Sequence, residues 1–163
     1  MRKLHLQMQM SLDGLVSTGP NDEQKWVTVV WDEIAAYVIG LLDVTDTILI
    51  GRKLAVDYIP HWQGVEKRPD DPFHGVAVRI GRAKKVVFTK TLDRSAWQNT
   101  DLAKGELIEE VEKLKAESGK DMVVYGGSSF VSALLKERLV DEFHLFVNPV
   151  ALGKGIPLFS ELE

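Results

Sequence analysis

Short apolar strands alternate with amphipathic helices along almost the whole chain, and few folds accommodate that order. Leu4, Leu6, Met8 and Met10 alternate with His5, Gln7 and Gln9, a period of two that marks a strand. One face of this strand carries two glutamines, so that face is expected to look into a polar cleft. Turn-forming Gly, Pro, Asn and Asp fill residues 11–22. Trp31, Ile34, Ala35, Val38, Leu41 and Leu42 then recur at helical spacing, with Asp32 and Glu33 near the helix start. Residues 47–50 form a second strand ended by Gly51-Arg52. A brief helix over 53–59 is expected to stop at Pro60, and 61–74, with Pro69 and Pro72, to be an irregular surface loop. One or two helical turns follow over 76–82, then a third strand over 85–89 and a surface helix over 105–117 stopped by Gly119. A strand over 122–125 leads into a helix with Phe130, Val131, Leu134 and Leu135 inward. Phe143, Leu145 and Val147 mark the last clear strand. This order implies an α/β fold, a largely parallel central sheet flanked by helices.

Composition narrows the chemistry. The 163 residues suit one domain, 1–163, and no repeat or Pro/Gly/Ser linker divides them. Cysteine is absent, which excludes a disulfide framework, a thiolate zinc site, an iron–sulfur cluster and a Cys nucleophile. A net charge of -4 gives no electrostatic reason to expect nucleic acid. No apolar run approaches the roughly 20 residues that span a bilayer, so no membrane partner is expected. The first five residues lack an apolar signal core, and a cytoplasmic address is expected. His5, His61, His74 and His144 are scattered without an H-E-x-x-H; His144 is read as structural and no metal site is expected. The G-x-G-x-x-G, G-x-x-x-x-G-K-[ST] and G-x-S-x-G motifs are also missing.

Two strand-to-helix corners remain, Gly51-Arg52-Lys53 and Gly126-Gly127-Ser128-Ser129. In open α/β sheets ligands bind beyond the carboxyl ends of strands, where helix N–H groups are unpaired and glycine lets the backbone approach a phosphate. Ser128 or Ser129 could instead be an N-cap, and both readings stand at this point. Arg52 suits bidentate phosphate contact, and Thr89 and Lys90 leave the third strand with a hydroxyl and an ammonium that could hold an extra phosphate. Lys90 could equally be a solvated loop lysine. With no nucleophile and no metal, hydride transfer suits the site, because the cofactor carries the reacting group. A carboxylate to supply or organise a proton is expected from Asp13, Asp32 or Glu33. Against that, Asp13 could be a turn former and Asp32 a helix-terminal acid.

The chain resembles the dihydrofolate-reductase-like superfamily, in its branch with the reductase domain of riboflavin biosynthesis. The resemblance rests on residues 11–14, 51–53, 89–92, 124–129, 139–142 and 149–159, short pieces whose order and spacing cover nearly the whole chain. It implies a single mixed sheet, NADPH as cofactor, a small heterocyclic substrate (aminopyrimidine or pterin) and a homodimer. By that similarity Gly51, Arg52 and Lys53 hold phosphate, Thr89 and Lys90 lie near the adenosine 2′-phosphate, and Gly126, Gly127, Ser128 and Ser129 cradle the pyrophosphate. Asp13 and Gly14 border nicotinamide and substrate, Gln9 joins the substrate site, and Asp32 corresponds to the acid of the folate branch. A nucleotide-binding dimeric module without turnover is the alternative. The zinc deaminase motifs found in many riboflavin-branch proteins need cysteine, which this sequence lacks. The family's further antiparallel hairpin is not seen before Glu163, so either the form is shortened or the sheet closes differently.

Overall fold

The computed structural model describes residues 1–28, 31–160 and 162. In chain order the elements are β1 (Leu4–Ser11), β2 (Leu15–Ser17), α1 (Trp31–Asp43), β3 (Thr45–Gly51), α2 (Arg52–Glu66), α3 (His74–Arg82), β4 (Lys84–Phe88), β5 (Thr100–Ala103), α4 (Leu107–Ala116), β6 (Asp121–Val124), α5 (Ser128–Lys136), β7 (Glu142–Asn148) and β8 (Ile156–Pro157).

Six strands form one sheet in the order β5-β4-β3-β6-β1-β7. Every pairing in it is parallel, where the family resemblance implied a mixed sheet. Parallel neighbours need long crossovers, and the segments between these strands are long enough to supply them. Among the described residues antiparallel pairing is confined to β2 with β8, a separate two-stranded ribbon. No described helix is long and apolar enough to cross a membrane.

A parallel sheet must be covered on both faces. Alternation along the strands divides the core accordingly. Leu4, Leu6, Leu49 and Val124 pack with Val111 and Leu114 of α4 and Val131 and Leu134 of α5. Ile48 and Val123 face the other way, against Val38, Leu41 and Leu42 of α1 and Val76 and Ile80 of α3. Ile50 and Val87 meet Ala55 and Ile59 of α2.

Two sequence expectations fail between residues 60 and 74. Helix α2 does not stop at Pro60 but continues to Glu66, and α3 begins at His74. Proline withdraws one N–H from the helical ladder, a local cost. Tertiary burial overrides it: Ile59 and Val65 are each 3% exposed, and the Tyr58 and Trp62 rings, one turn apart, pack edge to face at 6.2 Å. Strand β5 and the β2–β8 ribbon were not foreseen, because four, three and two residues carry too little periodicity to register.

Candidate active site

Strands β4, β3 and β6 are neighbours, so the turns at their carboxyl ends come together. The order in which strands are laid down reverses here: β4 lies on one side of β3, and the later β6 inserts on the other. A cleft of about 260 Å³ opens at this edge, lined by Gly51, Arg52, Lys53, Thr89, Lys90, Gly127 and Ser129, with Leu54, Phe88, Thr91 and Phe130 completing it. Seven of the residues singled out from sequence thus share one wall-to-wall space. Gly126 and Ser128 adjoin it as part of the same turn.

The backbone there requires glycine. Gly126 has φ 150° and Gly127 φ 62°, conformations that L side chains rarely adopt. A Cβ on Gly51 would stand 3.0 Å from the Phe130 side chain, where α5 packs on the end of β3. The N-caps of α2 and α5 are Gly51 and Gly127, and neither first turn receives a side-chain cap. The alternative of Ser128 or Ser129 as N-cap is therefore not realised. Two sets of helix N–H groups and two positive dipole ends face the cleft. Thr89 is buried, and its Oγ1 accepts the Thr91 and Leu92 N–H groups at 3.2 Å each, fixing the turn. Lys90 is not simply solvated: Nζ donates to the Lys104 and Gly105 carbonyls at 3.1 and 2.7 Å and pairs with Glu106 at 3.0 Å.

A second cavity, about 220 Å³, adjoins the same turns. Leu54 and Tyr58, one turn apart on α2, line the first and second spaces respectively, and Tyr125 of the second lies two residues before Gly127 of the first. Its walls are mainly aromatic and aliphatic, including Trp31, Tyr58, Trp62, Phe73 and Phe146, with Gln7 and Gln9 from β1. The glutamine face of β1 does look into a cleft, but a largely apolar one. Gln9 Oε1 accepts a hydrogen bond from Asn148 at 3.0 Å, which orients it. The hydroxyls of Tyr58 and Tyr125 are buried there with no hydrogen-bond partner among the described residues, and their rings stack at 5.9 Å. Burial pushes both phenols well above their ordinary pKa, so both stay protonated at neutral pH.

The carboxylates lie elsewhere. Asp13 accepts from Ser11 Oγ at 2.6 Å and from the Leu152 and Gly153 N–H groups at 3.0 and 2.7 Å. These bonds hold its pKa down to about 2. Gly14, with φ 82°, turns the chain beside it and accepts the Leu158 N–H at 3.0 Å. Asp13 and Gly14 therefore brace the loop after β1 against residues 150–158, and neither is among the residues lining the two cavities. Asp32 and Glu33 are exposed on the first turn of α1, while Trp31 beside them lines the aromatic cavity. Sequence reasoning missed Tyr58, Trp62 and Tyr125. The i, i+4 aromatic pair on α2 was the available signal, hidden by ending that helix too early.

Taken together, the fold is α/β, with a glycine-built cleft at the switch point of a parallel sheet. The chain belongs to the RibD C-terminal domain family, whose model matches residues 2–163. It is 34% identical to the uncharacterized protein YyaP of Bacillus subtilis (strain 168), over 99% of this chain and 82% of that one. A shorter stretch, 31% of this chain and 29% of the relative, is 48% identical to the uncharacterized protein YwjB of the same organism. A putative riboflavin biosynthesis protein from Shewanella sp. PV-4 has the same fold, with a TM-score of 0.70 and 23% identity over 99% of this chain and 85% of that one. So does a diaminohydroxyphosphoribosylaminopyrimidine deaminase/5-amino-6-(5-phosphoribosylamino)uracil reductase from Thermotoga maritima, with a TM-score of 0.66 and 20% identity. The match covers 98% of this chain and 48% of the Thermotoga protein, so this chain spans about half of that length.

Proposed function

We propose that this chain is an NADPH-dependent reductase of a small heterocyclic substrate, most like the 5-amino-6-(5-phosphoribosylamino)uracil reductase of riboflavin biosynthesis. The observation that carries this reading is the glycine-built cleft at the ends of β4, β3 and β6. Its residues fit a dinucleotide: a Cβ at Gly51 would meet Phe130, Gly126 and Gly127 need positive φ, and both helix N-termini lack side-chain caps. Gly51, Gly126, Gly127, Ser128 and Ser129 would hold the pyrophosphate, with Arg52, Lys53, Thr89 and Lys90 toward the 2′-phosphate. When bound, the reduced nicotinamide supplies a hydride.

The chain's own work falls to the adjoining cavity. Its aromatic walls suit a flat ring, and Gln7 and Gln9 offer amide groups to polar ring edges. Hydride addition to a carbon leaves its heteroatom needing a proton. The buried phenols of Tyr58 and Tyr125 carry one at neutral pH, whereas no carboxylate is among the described residues lining the cavity. That missing carboxylate also favours a second reading, a nucleotide-binding module without turnover. The apolar strip of Phe143, Val147 and Phe159, each at least 40% exposed, supports a homodimer.

Quenching of the four tryptophans on titration with NADPH and NADH tests the cofactor half. NADPH is expected to bind more tightly, and Arg52→Ala to weaken it about 10-fold, the loss of one charge-assisted hydrogen bond, while touching NADH less. Undetectable binding of both would overturn the reading. Decay of NADPH absorbance with the ribosylaminopyrimidine, or with dihydrofolate, then separates the reductase from the binding module.

A further inference from the structure

At the opposite end of the sheet, three side chains converge in a manner the proposed reductase does not use. Strands β1 and β7 pair so that His5 aligns with Glu142 and Gln7 with His144. In a parallel pair aligned residues share a face, so His5, Glu142 and His144 project together. His5 Nδ1 lies 3.0 Å from His144 Nε2 and 3.2 Å from Glu142 Oε2, and the latter two atoms are 3.6 Å apart. Ligand atoms about 2.0–2.1 Å from a tetrahedral zinc ion stand about 3.3–3.4 Å from one another. The triangle of donors has that size.

The groups behind the donors are also arranged for a metal. The other nitrogen of His5, Nε2, is 3.0 Å from Asp121 Oδ2, and the other nitrogen of His144, Nδ1, is hydrogen-bonded to the Tyr37 hydroxyl. With those nitrogens carrying the protons, Nδ1 of His5 and Nε2 of His144 turn bare lone pairs toward the carboxylate oxygen. Such outer partners fix the tautomer and aim of a metal-bound imidazole. Three acceptors facing one point repel one another unless a cation lies among them. Lys3 does not fill that place: Nζ binds the other Glu142 oxygen, Oε1, at 2.5 Å. His5 is buried, at 4% exposed, while His144 and Glu142 are half-buried, which gives an ion a route from solvent.

We propose that His5, Glu142 and His144 form a zinc site that ties edge strand β7 to β1, with one coordination position left to solvent. Two imidazoles and one carboxylate are a donor set suited to zinc. By strand register His5 is level with Val123, three residues short of Gly126 on the adjoining strand and roughly 11 Å from it, and His5, Glu142 and His144 line neither of the two cavities, so the site is structural with respect to the proposed reductase. Sequence reasoning expected no metal because the ligands lie far apart in the chain and meet only through strand register.

Tag-free protein stripped with chelator tests this directly. Zinc chloride titrated in a calorimeter is expected to bind one to one, and saturation to raise the melting temperature by about 5 °C or more. Cobalt chloride in its place should give the visible bands of a low-coordinate site. His144→Ala and Glu142→Gln should each weaken zinc by about 100-fold, and Tyr37→Phe by about 10-fold, with His61→Ala unchanged. Glu142→Gln keeps the test valid if His144→Ala misfolds. Zinc that fails to bind below millimolar concentration, or that binds both ligand variants as well as the parent, would overturn the proposal and leave a proton-linked hydrogen-bond cluster. NADPH titration of the stripped protein keeps this outcome separate from failure of the reductase reading.

Discussion

The two ends of this parallel sheet are built from different materials. At the carboxyl end the cleft is framed by glycine turns and by two helix N-termini without side-chain caps. At the amino end the structure is held by long polar side chains reaching across strands. Arg2, 7% exposed, donates to Thr47 Oγ1 at 2.7 Å and also pairs with Asp46. Lys115, 5% exposed, pairs with Asp141 at 2.7 Å, and Asp141 also accepts the Leu4 N–H at 2.7 Å. His5 bridges Asp121 to the His144 and Glu142 pair. A turn-built end tolerates a charged guest because its amides already point outward; a side chain-built end gathers its charges into fixed pairs.

The strongest way to break this contrast is Gly127→Val. A β-branched residue at φ 62° cannot keep the turn, so NADPH affinity is expected to fall by about 100-fold, the upper range of such strain. Zinc affinity, measured on the same sample, should not change; a parallel loss would mean the two ends are coupled. Next in size is Asp141→Ala, which strands the Lys115 ammonium. Because Asp141 is partly exposed, the expected cost is about 1–2 kcal/mol, below that of a fully buried pair. Urea unfolding should register it while nucleotide titration does not.

Pro60→Ala sharpens a different point. Removing a proline from the interior of α2 restores a helical hydrogen bond but loosens the unfolded chain, and a net gain of about 1 kcal/mol is expected in the same urea experiment. A loss would mean that the proline shapes α2 for its aromatic contacts. The smallest effect concerns Asp13. Its folded pKa, about 2, lies below the ordinary 3.8, so its contribution is fully present above the unfolded value and disappears as pH falls through the folded one. Acid titration of stability between these values should be shallower in Asp13→Asn than in the parent.

The difference between the two ends also explains what sequence could reveal. Gly51-Arg52, Thr89-Lys90 and Gly126-Gly127 are local signals, each a turn directly after an apolar strand, and strand adjacency then brings them together. The main strands and α1, α4 and α5 follow from their own periodicity. The second half of α2 was hidden by Pro60, because a local breaker says nothing of Val65 being buried, and Trp62 half-buried, beyond it. The cluster of His5, Glu142 and His144 was invisible for a stricter reason. It exists only once β1 and β7 take one register, and a slip by one residue would turn the ligands to the other face.

That pairing has a kinetic side. β1 is made well before its two neighbours, β6 and β7, with three other strands of the sheet between them in the chain. At about 5–20 residues per second, Leu4 and Leu6 wait on the order of ten seconds before any partner strand leaves the ribosome. Leu4 and Leu6 therefore stay uncovered while the segments between β1 and β6 are made, and the pairings that cover them close across the longest sequence separations in the sheet.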